Sequence, residues 1–127
     1  MLSVTVNAQG VKNKMYLLSQ WSDGKPYEER DEKTGLSFQT YYLFYSQEGV
    51  DFLILIKGTN ISDATKRGML SQADWVQEGR SISWNWYVGT EKGTGKGWGR
   101  YDEDTKILML GGGGLYFKEI GPIPKSK

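Results

Sequence analysis

The fold of this chain is decided by residues Leu36–Lys57, which read LSFQTYYLFYSQEGVDFLILIK. In the first half, apolar and aromatic residues recur at every second position, which is the period of a β-strand. Glu48-Gly49 then reverses the chain, because a glycine readily adopts the positive φ that a short hairpin turn requires. In the second half, Val50–Lys57, both faces are apolar. This stretch therefore predicts a β-hairpin at the centre of the protein.

The remaining segments carry the same signal. Ser81–Val88 alternates most regularly, with tryptophans and aliphatic residues on one face and mostly polar residues on the other. Turn residues recur about every ten positions and separate further apolar segments, at Lys14–Trp21, Gly68–Val76, Lys106–Leu110 and Leu115–Ile120. No segment of useful length has a helical period. The pattern predicts an all-β protein, a small closed antiparallel barrel of the up-and-down type, with a β-sandwich as the alternative.

The chain length, 127 residues, suits one domain. We expect residues 1–127 to form a single β-barrel domain whose last residues, 121–127, are an extended tail. The longest apolar run, Phe52–Ile56, is too short to cross a membrane, and the N-terminal residues do not resemble a secretory signal. A cytoplasmic protein without membrane contact is therefore expected.

The chain contains neither histidine nor cysteine. Their absence excludes the usual catalytic triads, thiolate nucleophiles and common metal sites, and we expect no metal and no cofactor. Tyrosine or a buried carboxylate is then the only available acid or base. Sixteen basic residues against fifteen acidic ones give a net charge of +1, and this balance argues against nucleic acid as a partner.

Aromatic residues at strand spacing are the main candidates for ligand binding. Inside a barrel, such rings either form a plain core or line a cavity that accepts a planar or apolar molecule. The predicted ligand-binding residues are Tyr42, Phe44, Trp84, Trp86, Trp98 and Tyr101. A second interpretation places rings on the surface, as stacking platforms for a carbohydrate or a protein, and it uses Trp21, Trp75, Trp98 and Tyr101.

The segment Gly89–Gly99 reads GTEKGTGKGWG and contains five glycines. It matches neither a P-loop nor a dinucleotide-binding fingerprint, so we interpret it as a flexible hairpin loop. The alternative is a lid in which Lys92 and Lys96 contact an anionic group. Two acidic clusters are interpreted as solvated turns and not as cation sites, and they comprise Glu28, Glu29, Asp31, Glu32, Asp102, Glu103 and Asp104.

The C-terminal segment Gly111–Gly121, GGGGLYFKEIG, carries a family resemblance. Together with Gly97–Tyr101, GWGRY, it resembles the glycine-rich strands of dirigent and allene-oxide-cyclase-like barrels. Leu115 and Lys118 depart from the family pattern, which usually has a basic residue and a glycine there, and no functional residue is carried over. The resemblance implies an up-and-down barrel with a central apolar pocket for hydrophobic small molecules. The expected barrel class is calycin or allene-oxide-cyclase-like.

These observations lead to one functional prediction with two alternatives. The barrel holds a small hydrophobic or planar ligand in a central pocket, and any catalysis would be a cofactor-free cyclisation or isomerisation by conformational control. The alternatives are a carbohydrate-binding module and a protein-interaction or inhibitor domain that uses surface aromatic residues. The sequence leaves open whether the protein is an enzyme and whether it forms a homo-oligomer.

Overall fold

The fold contains nine β-strands and one short α-helix within residues 10–88, 91–111 and 114–124, which the computed structural model describes. The elements are β1 (Lys14–Trp21), β2 (Glu29–Arg30), β3 (Ser37–Gln47), β4 (Val50–Gly58), α1 (Ile61–Arg67), β5 (Ser71–Glu78), β6 (Ser81–Val88), β7 (Glu91–Asp102), β8 (Ile107–Leu110) and β9 (Leu115–Pro122). Strands β3 to β9 follow one another round the sheet, and β1 pairs with both β9 and β3. The result is a closed antiparallel barrel of eight strands, which confirms the predicted fold. The short β2 pairs with the start of β3.

The central hairpin, β3–β4, forms as the sequence predicts. Its register is continuous, and the turn residues Glu48 and Gly49 have φ values of 52° and 80°. Two positive φ angles are the signature of a turn whose twist matches that of the flanking strands. The register directs Tyr42 into the barrel and Tyr41 to the outer face.

Aromatic rings in mutual contact occupy the described part of the barrel interior. The ring of Tyr42 stacks on Phe117 with the centroids 4.4 Å apart, and Trp84 meets Tyr42 edge to face at 5.8 Å. Such pairs add about 0.5–1.5 kcal/mol each beyond the burial of apolar area. The rest of this inner core comprises Val11, Tyr16, Leu18, Phe44, Leu53, Ala73, Trp75, Ile82, Tyr101 and Leu108.

Glycines on the inner face of β7 make room for the tryptophans of β6. A Cβ atom added at Gly97 would overlap the indole of Trp84, and Gly99 lies against the same ring. Gly95 lies against Trp86 at ordinary contact distance. The predicted flexible loop is therefore wrong from residue 91 onward, because these residues belong to β7 and their glycines provide space for rings. Residues 89 and 90 lie outside the described residues.

A second, smaller core lies on the outer face of the barrel, beneath α1. The side chain of Asn60 caps this helix by accepting a hydrogen bond from the backbone N–H of Asp63 (2.9 Å). Ala64 is fully buried against β4, and Gly58 permits this approach because an added Cβ would overlap the helix backbone. This outer core explains why β4 is apolar on both faces. Its other members are Tyr41, Leu43 and Ile56, with Met15, Leu17, Tyr45, Ile54, Ile61 and Ile123 packed around them.

The segment that we assigned to an extended tail is in part a strand. Gly121 and Pro122 belong to β9, and Ile123 packs against the outer core. The backbone N–H of Ile123 also donates to the carbonyl oxygen of Asn13 (2.8 Å). Residues 1–9 and 125–127, which we placed in the same domain, lie outside the described residues.

The contact between Gly97 and Trp84 provides a test of this packing. Gly97→Ala is expected to lower the free energy of unfolding by about 1–3 kcal/mol, the usual cost of forcing an extra methyl group into a filled core. Gly95→Ala is the matched control on the same face of the same strand, where the added Cβ would lie 3.8 Å from Trp86. It is expected to leave stability unchanged or to raise it slightly, because alanine restricts the unfolded chain. Equilibrium urea unfolding measures both, and equal stability of the two variants would contradict the packing.

Candidate functional site

The barrel is sealed at one end. The side chain of Val11, which precedes β1, is fully buried there, and its backbone N–H donates to Oε1 of Gln77 (3.2 Å). Asn13 holds the same segment to the end of β3, since its side-chain nitrogen donates to the carbonyl oxygen of Ser46 (3.1 Å). A binding site in the interior must therefore open at the opposite end.

That opposite end, which we call the mouth, is bordered by half-buried apolar side chains. They pack on the inner core and come from four strands and the β1–β2 connection, and they are Tyr27, Leu55, Trp86, Leu110 and Leu115. Trp21 extends this border outward, with its ring 5.6 Å from that of Tyr27. Small ligands commonly bind at the mouths of β-barrels, and these partly exposed apolar side chains are candidates for contact with one.

Tyr42 lies beneath Trp86, with the ring centroids 5.9 Å apart. Among the described residues, the Tyr42 hydroxyl has no hydrogen-bond partner. Every fully buried side-chain polar atom in these residues does have a partner, so the Tyr42 hydroxyl is not fully buried and keeps contact with solvent. Burial raises the pKa of Tyr42 to about 12, and the group is therefore neutral at physiological pH. A neutral hydroxyl in apolar surroundings is a suitable polar contact for orienting a ligand.

A charged groove of about 710 Å³ lies on the β2–β4 side of the mouth. Four of its side chains are basic, three are acidic and two are apolar, and they are Arg30, Lys33, Lys57, Arg67, Glu29, Asp31, Glu32, Phe38 and Leu70. The guanidinium of Arg67 lies 4.8 Å from the centre of the Phe38 ring, an approach that favours a cation over an aromatic face. The groove thus combines both signs of charge with apolar surface.

A chain of polar contacts joins this groove to the mouth. The hydroxyl of Tyr27 donates to Oε1 of Glu29 (3.2 Å), and Nζ of Lys57 lies 2.8 Å from Oε2 of the same carboxylate. Burial and the adjacent Glu29 carboxylate raise the pKa of Tyr27. Because Tyr27 also packs on the inner core, one side chain connects the apolar and the charged parts of the site.

The six predicted ligand-binding residues lie in three places. Trp86 lies at the mouth, and Tyr42 belongs to the inner core directly beneath it. Trp98 lies on the outer face of β7, with 58% of its surface exposed. The other three are buried in the inner core, and they are Phe44, Trp84 and Tyr101. Among the six, Tyr42 and Trp86 are positioned to meet a molecule that enters the mouth.

Two of the four rings expected on the surface are buried, and the expectation of exposure is wrong for them. The indole N–H of Trp75 donates to the carbonyl oxygen of Tyr45 (3.0 Å), and Tyr101 is 1% exposed. Both residues follow the inward parity of their strands, which places them in the core although each lies near a turn. Trp21 and Trp98 are exposed, the first beside the mouth and the second on the outer face.

A partly buried polar cluster, which the sequence pattern did not predict, lies towards the sealed end. The hydroxyls of Tyr16 and Tyr101 both donate to Oε1 of Glu119, at 3.1 and 2.8 Å, and Nζ of Lys14 lies 3.8 Å from the same oxygen. Burial, together with the adjacent carboxylate, raises the pKa of Tyr101 to about 12 and also raises the pKa of Tyr16. The sequence signal for this cluster is that Glu119 lies two residues after Phe117 in β9, so both side chains lie on the inner face of the strand.

Other predicted features lie on the surface. Lys96, one of the two lysines of the alternative lid, is exposed on the outer face of β7, while the side chain of Lys92 lies outside the described residues. Within the described ranges, no group of three or more acidic side chains is arranged to hold a metal ion. No helix in these ranges is long and apolar enough to span a membrane.

The tyrosine–glutamate cluster predicts a loss of stability at high pH. A tyrosine in the unfolded chain ionises near pH 10, whereas the pKa of Tyr101 in the folded protein is about 12. Because the folded pKa is the higher of the two, the stabilising contribution is fully present below about pH 10 and is lost as the pH rises toward 12. The stability advantage of the wild type over Tyr101→Phe should shrink across this range. Urea unfolding at about pH 8 and about pH 11 measures it, and a constant difference would contradict the prediction.

Comparison with known proteins gives no family for this chain. No protein-family model, no curated protein and no solved structure matches it. The resemblance of Gly111–Gly121 to dirigent and allene-oxide-cyclase-like barrels therefore rests on its sequence motif alone, and the function has to be argued from the site.

Proposed function

We propose that this protein binds a small, largely apolar or planar molecule at the mouth of the barrel. The apolar part of the ligand packs on Trp86 and on the aliphatic side chains around it. A polar or charged end of the ligand points to the groove that begins at Glu29 and Lys57. The ligand class is therefore amphipathic, with one flat or apolar part and one polar part.

The observation that carries this proposal is the position of Tyr42 under Trp86. The ring of Tyr42 stacks on Phe117 and meets Trp86 edge to face, while its hydroxyl is left without a hydrogen bond among the described residues. A polar group fixed in place among rings costs little further ordering when it binds a ligand. The sealed opposite end supports the proposal as well, because it leaves one direction of entry.

The proposed function is binding and not catalysis. The groups that are suited to acid–base chemistry, Glu119 and the two tyrosines that donate to it, lie towards the sealed end. The ring of Tyr16 packs against Phe44, which in turn contacts Trp84 within the inner core. A ligand at the mouth would not touch these groups, so a cyclase or isomerase activity is not part of the proposal.

The carbohydrate alternative receives less support from the arrangement of rings. A stacking platform for a sugar chain needs several exposed rings on one surface. Trp75 and Tyr101 are buried, so only two of the four rings, Trp21 and Trp98, are exposed.

A planar apolar anion, 1-anilinonaphthalene-8-sulfonate, tests the proposed site. Its fluorescence rises when the rings leave water, and we expect saturable binding to the wild type. Trp86→Leu keeps an apolar side chain but removes the ring, and it should weaken binding at least tenfold, about 1.4 kcal/mol. Trp98→Leu is the matched control, because the same change on the outer face leaves the mouth intact.

Two outcomes would overturn the proposal. One is binding that Trp86→Leu leaves unchanged, and the other is equal weakening by Trp86→Leu and Trp98→Leu. Because binding of this dye to a loosened core would imitate a site, the urea midpoint of each variant is measured alongside. Native mass spectrometry of the purified wild type then gives the mass of any small molecule that the protein retains.

A further inference from the structure

The outer face over β5, β6 and β7 carries an ordered pattern of charge. The strand register places its outward residues in three rows that run from β5 through β6 to β7. The rows are Asp74–Asn85–Lys96, Val76–Ser83–Trp98 and Glu78–Ser81–Arg100. The β5 side of the face is therefore acidic, the β7 side is basic, and the middle row has an apolar residue on each side.

This face forms a shallow groove of about 440 Å³. Two of its apolar side chains are exposed, Val76 at 56% and Trp98 at 58%. When the β4–β5 register is continued by two residues, Val50 lies opposite Val76, and it is 59% exposed. Val50 and Val76 on one side of β6, and Trp98 on the other side, are thus exposed apolar side chains of the kind that occur at interaction surfaces.

The indole of Trp98 lies flat on Gly111. A Cβ atom added at Gly111 would overlap Cε2 of Trp98. Because Cε2 is bonded to three ring atoms, another atom can come this close to it only from a face of the ring. The opposite face of the indole is therefore the exposed one. A large ring that is fixed against the barrel and open on its other side is well suited to anchor a protein interface.

We propose that this face binds the same face of a second copy, so that the protein forms a symmetric dimer. A twofold axis parallel to β6, between the two facing sheets, places β7 of one copy over β5 of the other. Each residue keeps its row under this rotation. Arg100 then lies opposite Glu78 of the second copy, and Lys96 lies opposite Asp74. Each of these contacts occurs twice, once on each side of the axis.

The pattern of charge selects this arrangement over its alternative. If the twofold axis were perpendicular to the strands, β5 would face β5 and β7 would face β7. Acidic side chains would then meet acidic ones, and basic side chains would meet basic ones, which is unfavourable. Two facing sheets usually pack with their strands nearly aligned. The twofold axis is therefore either parallel or perpendicular to the strands, and these are the two arrangements to compare.

The apolar residues agree with the same axis. Trp98 lies on Gly111, which places its ring on the β8 side of β7. After the rotation, that ring faces Val76 on β5 of the second copy. The exposed rings and the exposed valines therefore cover one another.

The size of the face predicts a weak, reversible dimer. Three strands about 4.8 Å apart and about five residues long cover roughly 250 Å² per copy, or roughly 500 Å² in total. Interfaces of this size dissociate readily, and attraction between exposed charges weakens as salt is added. The dimer is therefore expected at high protein concentration and low ionic strength.

Exchange of charge across the axis tests the proposal. Glu78→Arg and Arg100→Glu each turn two attractive contacts into repulsive ones, so each variant alone should show a dissociation constant raised at least about tenfold. An equimolar mixture of the two variants should form a heterodimer, because both contacts are again between opposite charges. Sedimentation velocity over a range of concentrations measures each state. Glu32→Arg is the matched control, since it reverses an exposed charge on another surface.

The outcomes separate clearly. Dimerisation of the wild type, its loss in both single variants and its return in the mixture support the proposed interface. A wild type that stays monomeric at the highest concentration overturns it, as does a mixture that associates no better than its components. Both substituted positions are exposed, and circular dichroism confirms that the variants fold. Trp86→Leu should dimerise normally, so failure of this proposal and failure of the proposed ligand site are distinguishable.

Discussion

The packing of Trp84 on the glycines of β7 is the constraint on which the rest of the barrel depends. An eight-stranded barrel has an interior just wide enough for side chains, and this one holds several of the largest. Gly97 and Gly99 leave part of one wall without side chains, and the indole of Trp84 takes that space. The barrel can then close around a layer of rings in contact. The room that remains for a ligand lies above this layer, at the mouth.

The strands that the sequence predicted correctly are those whose signal is local. Ser81–Val88 begins and ends where its alternation predicts, because period-two alternation depends only on neighbours in the chain. The first half of β7 could not be predicted in this way. A glycine-rich stretch taken by itself is typical of a loop. The reason for Gly97 is a tryptophan on the neighbouring strand, and that contact exists only once the register is known.

The candidate site shows the same division. The spacing of aromatic residues along the strands predicted Tyr42 and Trp86, but it did not predict how deep each lies in the barrel. Alternation along a strand gives the face on which a side chain lies and not its distance from the mouth. Trp75 and Trp98 both lie near turns, and parity alone separates the buried ring from the exposed one. The role of Glu119 was not predicted, because its hydrogen-bond partners are 18 and 103 residues away in the chain. Contacts that span such separations leave no local pattern.

Closure of the barrel also limits how the protein can meet other molecules. The backbone groups of a closed sheet are paired, so a partner cannot add a strand to an edge, and the extra strand β2 is only two residues long. Binding must then use side chains, either at the mouth or on the outer face. Strand β7 serves both, since its inward glycines hold the rings below the mouth and its outward residues form the basic side of the proposed dimer face. Because the two sets alternate along one strand, a substitution at Lys96 or Arg100 changes the outer face without changing the core that supports the mouth.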